Sequence, residues 1–149
     1  MSINVADPFS PEARAVLSQA QVEATNLNHS FIDPGHMLLA VIATDAELAG
    51  ILAANDVHAE RVRDALRTIY SDMESSDEEV GLNSQAKAAV ERSVEAVHPV
   101  LHPEAGMIEP ATLLLGVLAQ ADGVVADILA SFGVDRVRLI DQVTESLAD

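Results

Sequence analysis

The chain carries one helical unit twice, and that repetition constrains its fold more than any other feature. Ile-Asp-Pro-Gly-His-Met-Leu-Leu-Ala-Val-Ile at residues 32–42 matches Ile-Glu-Pro-Ala-Thr-Leu-Leu-Leu-Gly-Val-Leu at residues 108–118. Ile, Pro, two Leu and Val are identical, and most other pairs are conservative. Downstream, Leu-Ala-Gly-Ile-Leu (48–52) matches Val-Ala-Asp-Ile-Leu (125–129), and Val57 matches Val134. Upstream, Phe-Ser-Pro-Glu-Ala-Arg (9–14) lines up with Leu-Asn-Ser-Gln-Ala-Lys (82–87). The matches keep their order while the offset grows, so the second copy carries a small insertion around residues 98–107. Ordered self-similarity of this length is the mark of a tandem duplication.

Each copy reads as four helices. Ser10 is a good N-cap and Pro11 a good first helical residue. Ala13, Val16, Leu17, Ala20, Ala24 and Leu27 then fall at helical spacing and predict one inward stripe. Asn83 caps the equivalent helix, with Ala86, Ala89, Val90, Val94 and Val97 inward until His98-Pro99 ends it. The second helices start at Asp33-Pro34 and Glu109-Pro110, with Asp33 and Glu109 as caps. They are apolar almost all round, which predicts buried central helices. The third helices are expected over residues 46–54 and 123–131, the latter ended by Gly133 in a left-handed conformation. Asp56 takes that place in the first copy, since Asp visits the region more readily than most residues. The fourth helices are expected over 59–71 and 136–148, with Val62, Leu66, Ile69, Leu139 and Val143 inward. Nothing reads as a strand. The expected fold is all-α, a pseudo-twofold tandem duplication of a four-helix repeat with eight helices. Residues 1–8 form an extension, and 9–149 one domain: repeat one 9–71, an acidic linker 72–81 and repeat two 82–149.

Composition narrows the function classes. Twenty-four acidic side chains against 8 basic ones give a net charge of −16. Such a chain is repelled by nucleic-acid phosphates and by anionic membrane surfaces, so neither is expected as a partner. The 49% hydrophobic content excludes a disordered acidic chain. With no cysteine there is no thiolate nucleophile and no Cys-based metal site. The first residues lack a basic segment and a long apolar run, and the longest apolar stretch, residues 37–43, is too short to span a bilayer. A cytoplasmic location is expected. His98 and His102 sit four apart beside Glu104, but Pro99 and Pro103 break the helix that would join them as ligands. His29 and His36 read as helix-end hydrogen-bonding groups, and His58 as a surface residue. No Gly-x-Ser-x-Gly turn and no phosphate-binding Gly-x-x-x-x-Gly-Lys-Ser/Thr occur. No metal, cofactor or enzymatic activity is expected. The acidic run at residues 71–80 reads as a solvated connector. Its sharper alternative is a docking strip for a basic partner or a phosphorylation site at Ser75 or Ser76.

The helix-opening Phe-Ser-Pro-Glu-Ala-Arg at 9–14 resembles the start of the Clp N-terminal domain, the paired repeat at the front of bacterial Clp unfoldases. So do Leu-Asn-His-Ser-Phe-Ile-Asp-Pro-Gly-His-Met-Leu-Leu at 27–39 and Ile-Leu-Ala-Ser-Phe-Gly-Val-Asp at 128–135. The resemblance extends over both copies and is strongest to ClpC-type members. It implies a recognition module in regulated proteolysis, with Clp unfoldase or protease components, adaptor or substrate peptides and certain cyclic peptides as partners. Such a module would act as adaptor, regulator or decoy, and a free-standing protein is expected. In ClpC-type domains the second helix opens with Gly-Thr-Glu-His, whose glutamates help bind phosphorylated arginine. Gly35 and Ala111 stand at those positions here, so phosphoarginine binding is not expected. The family's other binding surface lies where the first helices of the repeats approach. It carries over to Phe9, Arg14 and Leu17 from copy one and Leu82, Lys87 and Glu91 from copy two. Lys87 is the only lysine in the chain. It reads either as a solvent-facing residue or as a cation that meets carbonyls or an acidic group of a peptide. Phe9 reads as a core anchor or a contact residue. The alternative functions are a structural or oligomerisation module, or a small-molecule sensor, on the same fold.

Overall fold

A computed structural model describes residues 8–71, 81–96 and 107–147. Ser10 accepts a hydrogen bond from the Ala13 N–H at 3.0 Å, and α1 runs from there over Pro11–Asn26. Asn28 then turns the chain at φ 61°. Its own N–H reaches the Thr25 carbonyl while the next, of His29, reaches Ala24, which satisfies the carbonyls left bare at the helix end. The same closure recurs at Asp56 after α3 and at Gly133 after α7, with φ 64° and 74°. Both were legible in the sequence; Asn28 was not among the expected turn residues.

After β1 (Phe31–Ile32), Asp33 caps α2 (Pro34–Thr44). Asp45 ends α2 and caps α3 (Ala46–Ala54), accepting from the Leu48 N–H at 3.0 Å, and the two helices meet at 114°. Helix α4 spans Ala59–Ile69, two residues shorter than expected; Ile69, expected inward, is exposed at its end, and Tyr70 packs against the core instead. The second half follows the same order. It comprises β2 (Gly81–Leu82), α5 (Ser84–Ala96), α6 (Pro110–Leu118), α7 (Val124–Ser131) and α8 (Arg136–Leu147). Asn83 caps α5 as expected, accepting from the Ala86 N–H at 2.9 Å. Gly123 stands just before α7 as its cap rather than inside it. The residues of the acidic run from 72 to 80, together with Val97, His98, His102 and Glu104, lie outside the described residues.

Helices α2 and α6 form the centre, as their all-round apolar character requires. Met37, Leu38, Leu39 and Ala40 are fully buried in one, Leu113, Leu114 and Leu118 in the other. They pack on each other; α1 and α4 cover α2, and α5 and α8 cover α6. The halves also interlock at their third helices, since α3 packs on α8 and α7 on α2. Asn55 after α3 donates to Gln142 of α8 at 2.7 Å, and the Arg61 guanidinium lies 4.1 Å over the Phe132 ring. Close approach of α5 and α6 depends on Gly116. A Cβ there would strike the Ala89 carbonyl and come within 2.8 Å of the Ser93 oxygen. Ser93, itself buried, donates to the Ala89 and Thr112 carbonyls. Among the described residues no single helix is long and apolar enough to cross a membrane.

The expectation of no strand is corrected in one respect. Strands β1 and β2 pair in parallel, Phe31 with Gly81 and Ile32 with Leu82, and Phe9 forms an isolated parallel bridge with Ile108. Two-residue strands are too short to leave an alternating pattern in a sequence. Their arrangement is nonetheless informative. Ile32 and Ile108 are equivalent in the duplication, as are Phe9 and Leu82. The segment ahead of each half's first helix therefore pairs with the segment ahead of the other half's second helix. The Ser10 N–H donates to the Ile108 carbonyl at 2.9 Å, and the Asn83 N–H to the Ile32 carbonyl at 2.9 Å. The crossed pairing makes the pseudo-twofold relation visible in the backbone itself.

Candidate functional site

The two crossed junctions position the residues singled out from the sequence. Phe9 is half-buried at the second junction, with its backbone in the bridge to Ile108 and its side chain against the core. Leu82 holds the equivalent place at the first junction, half-buried beside Ile32. One turn into each following helix stands a cation, Arg14 on α1 and Lys87 on α5, and both are exposed. Leu17 is half-buried on α1 against the core, and Glu91 is exposed one turn beyond Lys87. The structure thus gathers Phe9, Arg14 and Leu17 at one helix start and Leu82, Lys87 and Glu91 at the other. The two sets are joined through α2, α6 and the crossed bridges, not by broad packing of α1 on α5.

Between the halves lies a buried polar cluster that the sequence reading did not assemble. Asp33 is fully buried, and its carboxylate is completely engaged. One oxygen accepts from the Gly35 N–H at 2.8 Å; the other accepts from the Tyr70 hydroxyl at 2.7 Å and the Asn83 amide at 2.9 Å. The Asp33 N–H in turn donates to His36 Nδ1 at 2.8 Å, closing a capping box. His36 Nε2 and His29 Nδ1 are 2.8 Å apart, and the His29 ring stands edge-on to Tyr70. Helix-end hydrogen bonding was the expected role of both histidines; His36 fills it at the start of α2, whereas the His29 ring is bonded to the His36 ring. What periodicity could not show is that Asn83, which caps α5, also reaches back to Asp33 and ties the halves together. The signal available was Asp-Pro-x-His, an aspartate cap with a hydrogen-bonding residue three positions on.

Burial holds the His36 imidazole down to about 3, with the neighbouring His29 acting in the same direction. Burial also lowers His29, against the pull of Asp33. The Tyr70 phenol is pushed well up by burial and by its bond to the Asp33 carboxylate, so it stays a donor throughout the physiological range. A second missed group is Glu23, buried on the inward face of α1, where Gln19 and Arg63 supply its partners at 3.1 and 3.4 Å.

The duplication is not symmetrical at these sites. Glu109 is exposed where Asp33 is buried, Thr112 replaces His36 and Leu147 replaces Tyr70. Thr112 still accepts from the Glu109 N–H at 3.2 Å and the Glu109 side chain accepts from the Thr112 N–H, so the capping box itself is kept. Around it is an open groove of about 240 Å³ bordered by Glu12, Asp45, Glu47, Glu109 and Leu147. The Gly35 and Ala111 positions differ too. Gly35 is packed so closely that a Cβ there would come within 2.6 Å of Leu66 Cδ2, whereas Ala111 already carries its methyl.

Comparison with known proteins agrees with this architecture. The profile of the Clp repeat (R) N-terminal domain matches residues 8–102, which is more than half of the chain. The chain belongs to that family. Among curated relatives it is 26% identical over 140 residues to the negative regulator of genetic competence ClpC/MecB of Bacillus subtilis. It is 28% identical over 148 residues to the chloroplastic chaperone protein ClpC2 of Oryza sativa. Each alignment covers 93% of this chain but only 17% and 16% of the relative, so the chain spans about one sixth of their length. The N-terminal domain of the chaperone ClpD from Arabidopsis thaliana superimposes with a TM-score of 0.77, covering 100% of both chains at 20% identity. The Hsp104 N-terminal domain from Candida albicans gives 0.71 at 18% identity, over 92% of this chain and 89% of that one. These likenesses establish the Clp N-domain fold.

Proposed function

We propose that the chain is a non-catalytic peptide- and protein-binding module tied to Clp ATP-dependent proteolysis. It would serve as adaptor, regulator or decoy for ligands of a full-length ClpC-type unfoldase, including hydrophobic cyclic peptides. The observation that carries this reading is the pair of half-buried apolar side chains, Phe9 and Leu82, each followed one turn on by an exposed cation, Arg14 or Lys87. An apolar contact beside a cation suits a peptide, whose side chains supply hydrophobic area and whose carbonyls or terminal carboxylate accept from Lys or Arg. Family membership supports the same class of function.

Calorimetric titration with a hydrophobic cyclic peptide tests the site. Leu82→Ala and Lys87→Ala are expected to weaken binding by at least several-fold without unfolding the protein, since neither residue is fully buried. Unchanged affinity in both variants would place the ligand elsewhere. Co-sedimentation with a purified ClpC-type unfoldase, in the presence and absence of that peptide, separates an adaptor, which binds both, from a decoy, which competes. Phosphoarginine is expected to give no saturable heat. Position 35 has no room for the missing glutamate while Leu66 keeps its place, and Ala111 supplies no carboxylate.

A further inference from the structure

The cluster at the first junction permits one protonation state. A backbone N–H only donates, so His36 Nδ1, which faces the Asp33 N–H, carries no proton. The His36 proton must then sit on Nε2 and point at His29 Nδ1, which accepts it. Both imidazoles are neutral, and each has one nitrogen committed as an acceptor. A further proton has nowhere to go without breaking a bond. On His36 it would oppose the Asp33 N–H; on His29 it would set two N–H groups face to face.

We propose that this cluster is a proton-sensitive latch between the halves: a proton on either imidazole undoes the capping of α2 and, through Asp33, releases Asn83 and the start of α5. The mechanical path is short. Asp33 lies between His36, which accepts from its N–H, and Asn83, which donates to its carboxylate and caps α5. The Asn83 N–H also holds the Ile32 carbonyl, one residue before Asp33. The second junction lacks the device, because Thr112 and Leu147 do not titrate.

The surroundings favour the neutral pair. Asp33 draws a proton towards His29, but burial, with a smaller contribution from Arg67 of α4, outweighs that pull. Tyr70, also following α4, stays protonated. On α1, the buried Glu23 carboxylate is engaged by Gln19 and Arg63. Helix α6 carries no ionisable side chain, and Glu47 of α3, Asp127 of α7, and Lys87, Glu91, Arg92 and Glu95 of α5 are exposed. Both histidines bind protons less readily folded than unfolded. Their contribution to stability is therefore complete above about pH 6.5 and declines below it, that of His36 being lost as pH falls towards 3. The latch does not depend on which ligand the neighbouring surface takes.

Urea unfolding of the full chain between pH 7.5 and 4.5 tests the titration, with His36→Gln as the comparison. Gln keeps an acceptor and a donor in the capping box but does not titrate. Below pH 6 the folding equilibrium constant of the wild type is expected to fall about tenfold more per pH unit than that of the variant. Parallel pH profiles would overturn the proposal. Should the variant not fold, the imidazole nitrogen resonances of the wild-type protein decide. A bare His36 Nδ1 down to pH 5 is expected, and ordinary titration near pH 6.5 would contradict the latch. Amide exchange tests the coupling. Protection at Gly35, Asn83 and Ala86 should drop together on acidification while Ser10, at the second junction, keeps its protection. Equal loss at Ser10 would mean global unfolding and no latch.

Discussion

At the scale of single residues, the contrast between Gly35 and Gly116 shows how the same missing Cβ serves different ends. At Gly116 the obstacle is the backbone of Ala89, which cannot move without shifting α5. At Gly35 the obstacle is the end of the Leu66 side chain. Gly116→Ala is expected to destabilise the protein by about 1–3 kcal/mol, the usual range for overpacking, with Gly35→Ala costing less. Urea midpoints measure both, and the reverse order would show that Leu66 is the more rigid neighbour. Tyr70 gives a second case. Its hydroxyl donates to a fully buried carboxylate, and hydrogen bonds to charged groups contribute about 1.5–3 kcal/mol. Tyr70→Phe leaves the ring packing against His29 and Phe31 intact, so the loss should lie in that range. A change below a few tenths would show that Gly35 and Asn83 satisfy Asp33 without it.

At the scale of elements, helices were legible because each carries its own signal. Ser10-Pro11, Asp33-Pro34 and Asn83 announce helix starts, and Gly133 and Asp56 announce ends, through chemistry contained within one turn. Apolar runs at residues 37–42 and 113–118 likewise mark the central helices without reference to a partner. The candidate site was legible only in halves. Each set of three residues could be placed on its helix, but the crossed pairing of Phe9 with Ile108 and Leu82 with Ile32 joins segments far apart in sequence. Two paired residues leave no periodicity to read. Glu23 was missed for a different reason: a lone charge inside an apolar stripe reads as outward until its partner, Arg63 from α4, is known. Asp45 offers an element-scale test, since it ends α2 and caps α3 at the same time. Asp45→Ala should cost about 1 kcal/mol. The loss should appear as faster amide exchange at Leu48 while the Met37–Val41 amides keep their protection. Equal acceleration in both helices would mean that the cap supports the core and not α3 alone.

At the scale of the whole molecule, charge and duplication act in opposite directions. A net charge of −16 repels itself within the compact state, and added salt screens that repulsion. Raising ionic strength from about 0.01 M to about 0.15 M shortens the screening length from about 30 Å to about 8 Å and should raise Tm. A falling Tm would assign net stabilisation to ion pairs such as Arg63–Glu60 and Arg67–Asp64. The duplication supplies the cohesion. Each half leaves the inner face of its central helix to be covered by the other, since α2 packs on α6, α5 and α7. Each also lends a strand to the other's junction, and Asp33 needs Asn83 from across it. A half alone would expose Met37, Leu38 and Leu39 in part and leave Ile32 and Asp33 without their partners. Residues 8–71 by themselves are therefore expected to show poor amide dispersion and no cooperative thermal transition, and adding residues 81–147 should restore both. If residues 8–71 melted cooperatively as a monomer near the Tm of the full chain, each repeat would be an autonomous domain. The crossed junctions would then join two finished units instead of completing one core.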